Sequence, residues 1–189
     1  MRSSFLSVLI AVTLVAVGIP AAYAADTPPA TAPQSMELKF AKSLWESSGA
    51  DKMKAGDWAE YEMPAIPGSK SRQEVVEVGD HYTVVLTKGS MMGQKQEMKT
   101  KTVYSEPDPD KAAVEKQQKE LKMEYKEADD KIKVGDKELA VKRHEVYQDG
   151  KLASKSWISK ELCLNGGVVR AEGPDGSVYT LLVGFGHGK

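Results

Sequence analysis

The C-terminal stretch from Lys151 to Lys189, KLASKSWISKELCLNGGVVRAEGPDGSVYTLLVGFGHGK, decides how the chain is expected to fold. Lys151 to Ser159 reads as a strand. Asn165-Gly166-Gly167 breaks the chain, Val168 to Glu172 reads as another strand, and Pro174-Asp175-Gly176 supplies a turn. The last strand, Ser177 to Phe185, is the most apolar stretch after the N-terminal leader. Tyr179, Leu181, Val183 and Phe185 fall on one of its faces, Val178 and Leu182 on the other. A strand apolar on both faces is expected at the centre of a sheet, covered twice.

The same rhythm runs back through the chain. Asp149-Gly150, between Glu138–Tyr147 and the strand at Lys151, is the strongest short hairpin signal, because a type I′ turn needs positive φ at both central residues. Ile132 to Val134 meets Gly135-Asp136. Further upstream, Trp58 to Met63 alternates aromatic and charged residues and stops at Pro64 and Pro67-Gly68. Ser71 to Val78 runs to Gly79-Asp80. His81 to Lys88 then sets Tyr82, Val84 and Leu86 on one face, with Val85 blurring the alternation. Gln94 to Tyr104 sets Met98, Thr100, Thr102 and Tyr104 against lysines and Glu97, beyond a tip at Met91-Met92. Strands joined by short turns predict an antiparallel meander.

Two segments read as helices. Met36, Phe40 and Leu44, widened by Ala41 and Trp45, form an apolar stripe at helical spacing between Ser35 and Ser48-Gly49. Lys111 to about Leu121 is rich in helix formers behind Asp108-Pro109, and a strand to about Ala128 follows. The expected fold is mainly β (α+β), with about nine strands and two helices, one N-terminal and one in the middle. An amphipathic helix that needs an apolar surface favours a curved antiparallel sheet, a half-barrel, over a closed barrel or a sandwich.

Residues 1–24 read as a secretory signal peptide: Arg2, an apolar run from Phe5 to Ile19, then Ala22-Tyr23-Ala24 as the cleavage site. Residues 25–34 are a Pro/Ala/Thr tether, and 35–189 form one β-rich domain. The expected location is periplasmic or secreted, with no transmembrane segment after cleavage and no cysteine at the site for lipid attachment. Lys and Arg number 26 against 27 Asp and Glu, for a net charge of −1 with the signs interspersed. No basic block points to nucleic acid or an anionic membrane. A single cysteine, Cys163, excludes an intrachain disulfide.

Chemistry-bearing patterns are sparse. His81, His144 and His187 lack the close spacing of a metal motif. Cys163, flanked by Leu162 and Leu164, reads as a small buried hydrophobe; a nucleophile with His144 as base has no local signature. Asp108-Pro109-Asp110 is not a calcium loop, and Asn165-Gly166-Gly167 lacks the strand-to-helix setting of a phosphate loop. No catalytic residue, metal ligand or cofactor is expected. Met91 and Met92 could bind Cu(I) only in a converging thioether cluster, so they read instead as a tip folded back on the core or as an apolar loop for a lipid, a membrane or a partner.

Gly56-Asp57-Trp58-Ala59-Glu60-Tyr61, Trp157-Ile158-Ser159 and Gly166-Gly167-Val168-Val169-Arg170-Ala171-Glu172 resemble motifs of uncharacterised secreted bacterial β-rich proteins. These are distantly similar to the periplasmic lipoprotein-carrier half-barrel, whose curved sheet and helices enclose a hydrophobic cavity. Leu162-Cys163-Leu164 departs from that pattern, and the resemblance carries over no catalytic residue. Pattern and resemblance together suggest a non-enzymatic binding protein holding an apolar small molecule or lipid. Its candidate lining is Tyr82, Val84, Leu86, Met98, Trp157, Leu181, Val183 and Phe185. The alternative is a structural or interaction module of the cell envelope that docks a protein partner without a small-molecule ligand.

Overall fold

A computed structural model describes residues 34–91 and 93–187. The elements are β1 (Gln34–Ala41), α1 (Lys42–Ser47), β2 (Trp58–Glu62), β3 (Lys70–Gly79), β4 (Tyr82–Met91), β5 (Gln94–Glu106), α2 (Lys111–Glu120), β6 (Met123–Val134), β7 (Lys137–Gln148), β8 (Lys151–Ile158), β9 (Val168–Glu172) and β10 (Val178–Gly186). All ten strands join one open sheet, ordered β1-β5-β4-β3-β2-β10-β9-β8-β7-β6. The protein is mainly β, as expected, and the sheet is mixed because β1 runs parallel to β5. The signal peptide and the tether lie outside the described residues, except Gln34, which opens β1.

The expected N-terminal helix is corrected. Most of that segment is β1, and only Lys42–Ser47 is helical. Met36, Leu38 and Phe40 also alternate with exposed Glu37 and Lys39, so two periodicities compete in the same residues. The free edge of β5 decides between them: Met36 aligns with Thr100, Leu38 with Thr102 and Phe40 with Tyr104. Edge pairing satisfies a full row of backbone groups, which a helix of this length gains only marginally without a wall. This strand accounts for the tenth.

Two smaller differences have local causes. The strands expected on either side of Asp129-Asp130 are one continuous β6. Asp130 does not interrupt it, because its carboxylate accepts hydrogen bonds from the Lys131 N–H (2.8 Å) and the Trp157 Nε1–H (3.1 Å). The β3–β4 turn is Asp80-His81, one residue later than expected, since Gly79 still pairs with Tyr82. The Asp149-Gly150 turn stands as expected, with φ of 50° and 72°.

The most apolar strand, β10, is indeed central, between β2 and β9. Its alternation is broken at Val183. Leu182 opposes Tyr61, but Gly184 opposes Glu60 and Phe185 opposes Ala59. The extra residue is a bulge, and it turns Phe185 to the face of Leu182 rather than that of Leu181. The Lys137 ammonium of β7 lies 4.7 Å from the Phe185 ring of β10, although β8 and β9 stand between these strands in the sheet order. A main core gathers Ala59, Tyr61, Val75, Leu139, Val141, Leu162, Leu164, Val169 and Leu182. A separate small core holds Phe40, Trp45 and Ala50.

Glycine is required at Gly167, where φ is 77° and a Cβ would run into the Ser159 carbonyl oxygen. Gly150 has a similar φ of 72° but open space around it. Gly150→Ala should cost about 1 kcal/mol and Gly167→Ala more than about 2 kcal/mol. Urea unfolding midpoints check the order; equal losses would show that the close approach at Gly167 carries no strain.

Candidate functional site

Each residue of the Gly56–Tyr61 motif has a structural task. The Gly56 N–H donates to the Val75 carbonyl at 2.7 Å. Asp57 is buried; its Oδ2 accepts from the Lys54 N–H at 2.9 Å, and its Oδ1 lies 3.6 Å from His187 Nδ1. Trp58 turns to the opposite face and lies across Gly184 and Gly186, where a Cβ would collide with or crowd its ring. Arg72 stacks 4.3 Å above that ring and is held by Glu60 at 2.7 Å. Ala59 and Tyr61 enter the main core. The Tyr61 hydroxyl donates to the Leu164 carbonyl, and burial pushes its pKa well above the usual phenol value.

The second motif repeats this logic. Trp157 carries Arg170 at 5.3 Å, and Arg170 is paired with Glu172. Buried Ser159 donates its hydroxyl to the Ala140 carbonyl at 3.0 Å and its N–H to the Gly167 carbonyl at 2.8 Å. Asn165, Gly166 and Gly167 all have positive φ, which brings the Leu162–Leu164 segment back against the sheet. Both motifs therefore fasten strands and return loops.

Directly opposed residues of antiparallel strands share a face, so register places the candidate lining. One row, Phe185–Ala59–Gln73–Thr87–Met98, crosses five strands on the core face. The next, Gly186–Trp58–Glu74–Leu86–Lys99, lies on the opposite face. Met98 and Phe185 thus share the core face. Leu86 does not, and neither do Val84, opposite Lys101, or Tyr82, opposite Val103. Leu181 opposes Glu62 and Arg170, again on the far face, whereas Trp157 packs against the main core and donates its indole N–H to Asp130. Val183 is the bulged residue and is exposed. Met92 and the Met91 side chain lie outside the described residues.

Met36, Leu38 and Val85, each half-buried, also lie on the core face and are not among the expected lining. Val85 opposes Val75 and Thr100, and β1 brings Met36 and Leu38 to the same side. The signal was present in Val85, which broke the alternation of its strand. With Met98 and Phe185 these residues continue the core across β1, β5, β4 and β10.

Among the described residues, two groupings of titratable side chains stand out. His144 is buried, with Nδ1 3.3 Å from Glu127 Oε1, and Lys142 lies 3.7 Å from the same carboxylate. Cys163 is half-buried beside Asp57, Glu161 and His187 around a pocket of only about 10 Å³, and burial pushes its thiol up, with Asp57 adding to the effect. Such a cysteine is a thiol rather than a thiolate nucleophile at neutral pH. Among the described residues, no three His, Cys, Asp or Glu are grouped to hold a metal ion, and no helix is long and apolar enough to cross a membrane. A second pocket of about 180 Å³ lies under the loop from Met63 to Ser69. Both are smaller than the roughly 300–1,000 Å³ typical of small-molecule sites. Comparison with protein-family models, curated proteins and solved structures finds no match.

Burial holds the His144 imidazole below its ordinary value of 6.5, against the opposing pull of Glu127. The unfolded chain then takes up a proton where the folded chain does not. The stability tied to neutral His144 is present above the unfolded value and is lost as pH falls through the lowered folded value. His144→Gln should therefore lose less Tm than the parent between about pH 7.5 and about pH 5. Parallel Tm–pH curves for the two proteins would rule out this residue as the source.

Proposed function

We propose that the chain is a non-enzymatic periplasmic or secreted binding protein. Its curled sheet acts as a half-barrel and takes an apolar ligand or lipid chain along the core face. The observation that carries this reading is a set of half-buried apolar residues on the core face, Met36, Leu38, Val85, Met98 and Phe185, of which Val85 and Phe185 pack against the main core and Leu38 against the small one. Apolar surface left in contact with water is costly unless something covers it for part of the time. The resemblance to the lipoprotein-carrier half-barrel agrees with the same chemistry.

A second reading, an envelope interaction module, draws on a different observation. Val76, Val78, Tyr179 and Val183 are strand residues that stay exposed. On this reading they and the Met91-Met92 loop meet a protein partner.

Native mass spectrometry of protein purified from its own envelope separates the two. The binding reading expects a co-purifying apolar adduct that is lost, at unchanged Tm, in Met98→Asp. A bare mass for the parent, together with protein cross-links from a photo-reactive group at position 92, would favour the interaction module instead.

A further inference from the structure

We propose that residues 34–52, comprising β1, α1 and the following 3-10 turn (Ala50–Lys52), form an arm that two copies of this chain exchange. Each copy's β5 is then completed by the other copy's β1. The inference stands on the arm's own contacts and not on the binding reading.

Four observations converge on it. First, β1 lies at the sheet edge in the one parallel pairing among the described residues, while every other neighbouring pair is antiparallel. Parallel pairing is slightly weaker per residue. Second, the arm has its own core of Phe40, Trp45 and Ala50, with Leu38 and Leu44 packed against it; only Met53 packs on both cores. Third, the surface that receives the arm is built by residues remote in sequence. Tyr104 packs against Trp45 with ring centroids 6.4 Å apart, Asp108 accepts the Ser43 N–H at 2.8 Å, and Gly49 seats against the Cys163 backbone. None of these contacts distinguishes the chain's own arm from that of a second copy.

Fourth, the arm leaves through a turn that can open without unpairing any strand. The Lys54 N–H donates to Asp57 Oδ2 at 2.9 Å, the Asp57 N–H donates to the Lys54 carbonyl at 3.0 Å, and Gly56 holds φ at 91°. Extending this turn loses those two bonds and strains the Met53 packing and the Gly56–Val75 bond beside it, while the β1–β5 pairing and the Trp45–Tyr104 contact are regained on the other copy. Exchange of a terminal element is thus a low-cost route to a dimer. One consequence is chemical: Met36 and Leu38 of each core face would be supplied by the other copy.

The register supplies a direct test. Ser35 aligns with Lys99 across β1 and β5, and both are exposed. Ser35→Cys and Lys99→Cys are made in separate chains, each with Cys163→Ser. The two are mixed, unfolded, refolded together over a range of concentrations and treated with a short bismaleimide. The expected result is a Ser35→Cys/Lys99→Cys heterodimer that exceeds both homodimers and rises with concentration. A single chain carrying both substitutions, refolded dilute, should cross-link within itself. Internal cross-linking without any excess heterodimer overturns the exchange. Failure of the double variant to cross-link at all overturns the β1–β5 pairing on which the exchange depends.

Discussion

The pairing of β10 with β2 on one side and β9 on the other is the seam of this protein. Without it the chain has two separate meanders, β2 to β5 and β6 to β9, each with an open edge of unpaired backbone groups. With it, one sheet runs through all ten strands. The features around the seam fit this requirement. Gly184 and Gly186 have no side chains, so Trp58 can lie across them, and the ring then serves as a platform for Arg72. The bulge at Val183 returns Phe185 to the core face opposite Ala59.

Residues of the far strands pack against this seam. Lys137 reaches Phe185, and Leu139 and Val141 join the core that contains Ala59 and Tyr61. The Leu162–Leu164 segment closes the space, held by the Tyr61 hydroxyl and by the left-handed run at Asn165–Gly167. The two tryptophan motifs are therefore read as fastenings. Trp58 with Arg72 holds the N-terminal half to β10, and Trp157 with Arg170 holds β8 to β9.

Much of this was legible in the residues. The Asp149-Gly150 and Gly135-Asp136 turns, the helix from Lys111, capped by Asp110 rather than by the expected Asp108, and the central place of Val178–Gly186 follow from local chemistry that neighbours do not override. The candidate binding face was legible only in part. Of the expected lining, Met98 and Phe185 lie on the core face and Trp157 packs against the main core, while Tyr82, Val84, Leu86 and Leu181 lie on the opposite face. Alternation says which residues share a face within one strand. It does not say how faces of different strands match, because one bulge reverses the parity of everything beyond it. Phe185 changed sides for that reason.

By itself, the sequence determined that the chain is mainly β and where most of its tight turns fall, since each depends on residues near one another in the chain. Tertiary structure alone decided that Gln34–Ala41 is a strand, because its two competing periodicities are resolved only by the waiting edge of β5. It alone decided which apolar residues form a common surface, because Met36, Val85, Met98 and Phe185 are joined by register across strands. Those are long-range pairings, and no local pattern records the partner.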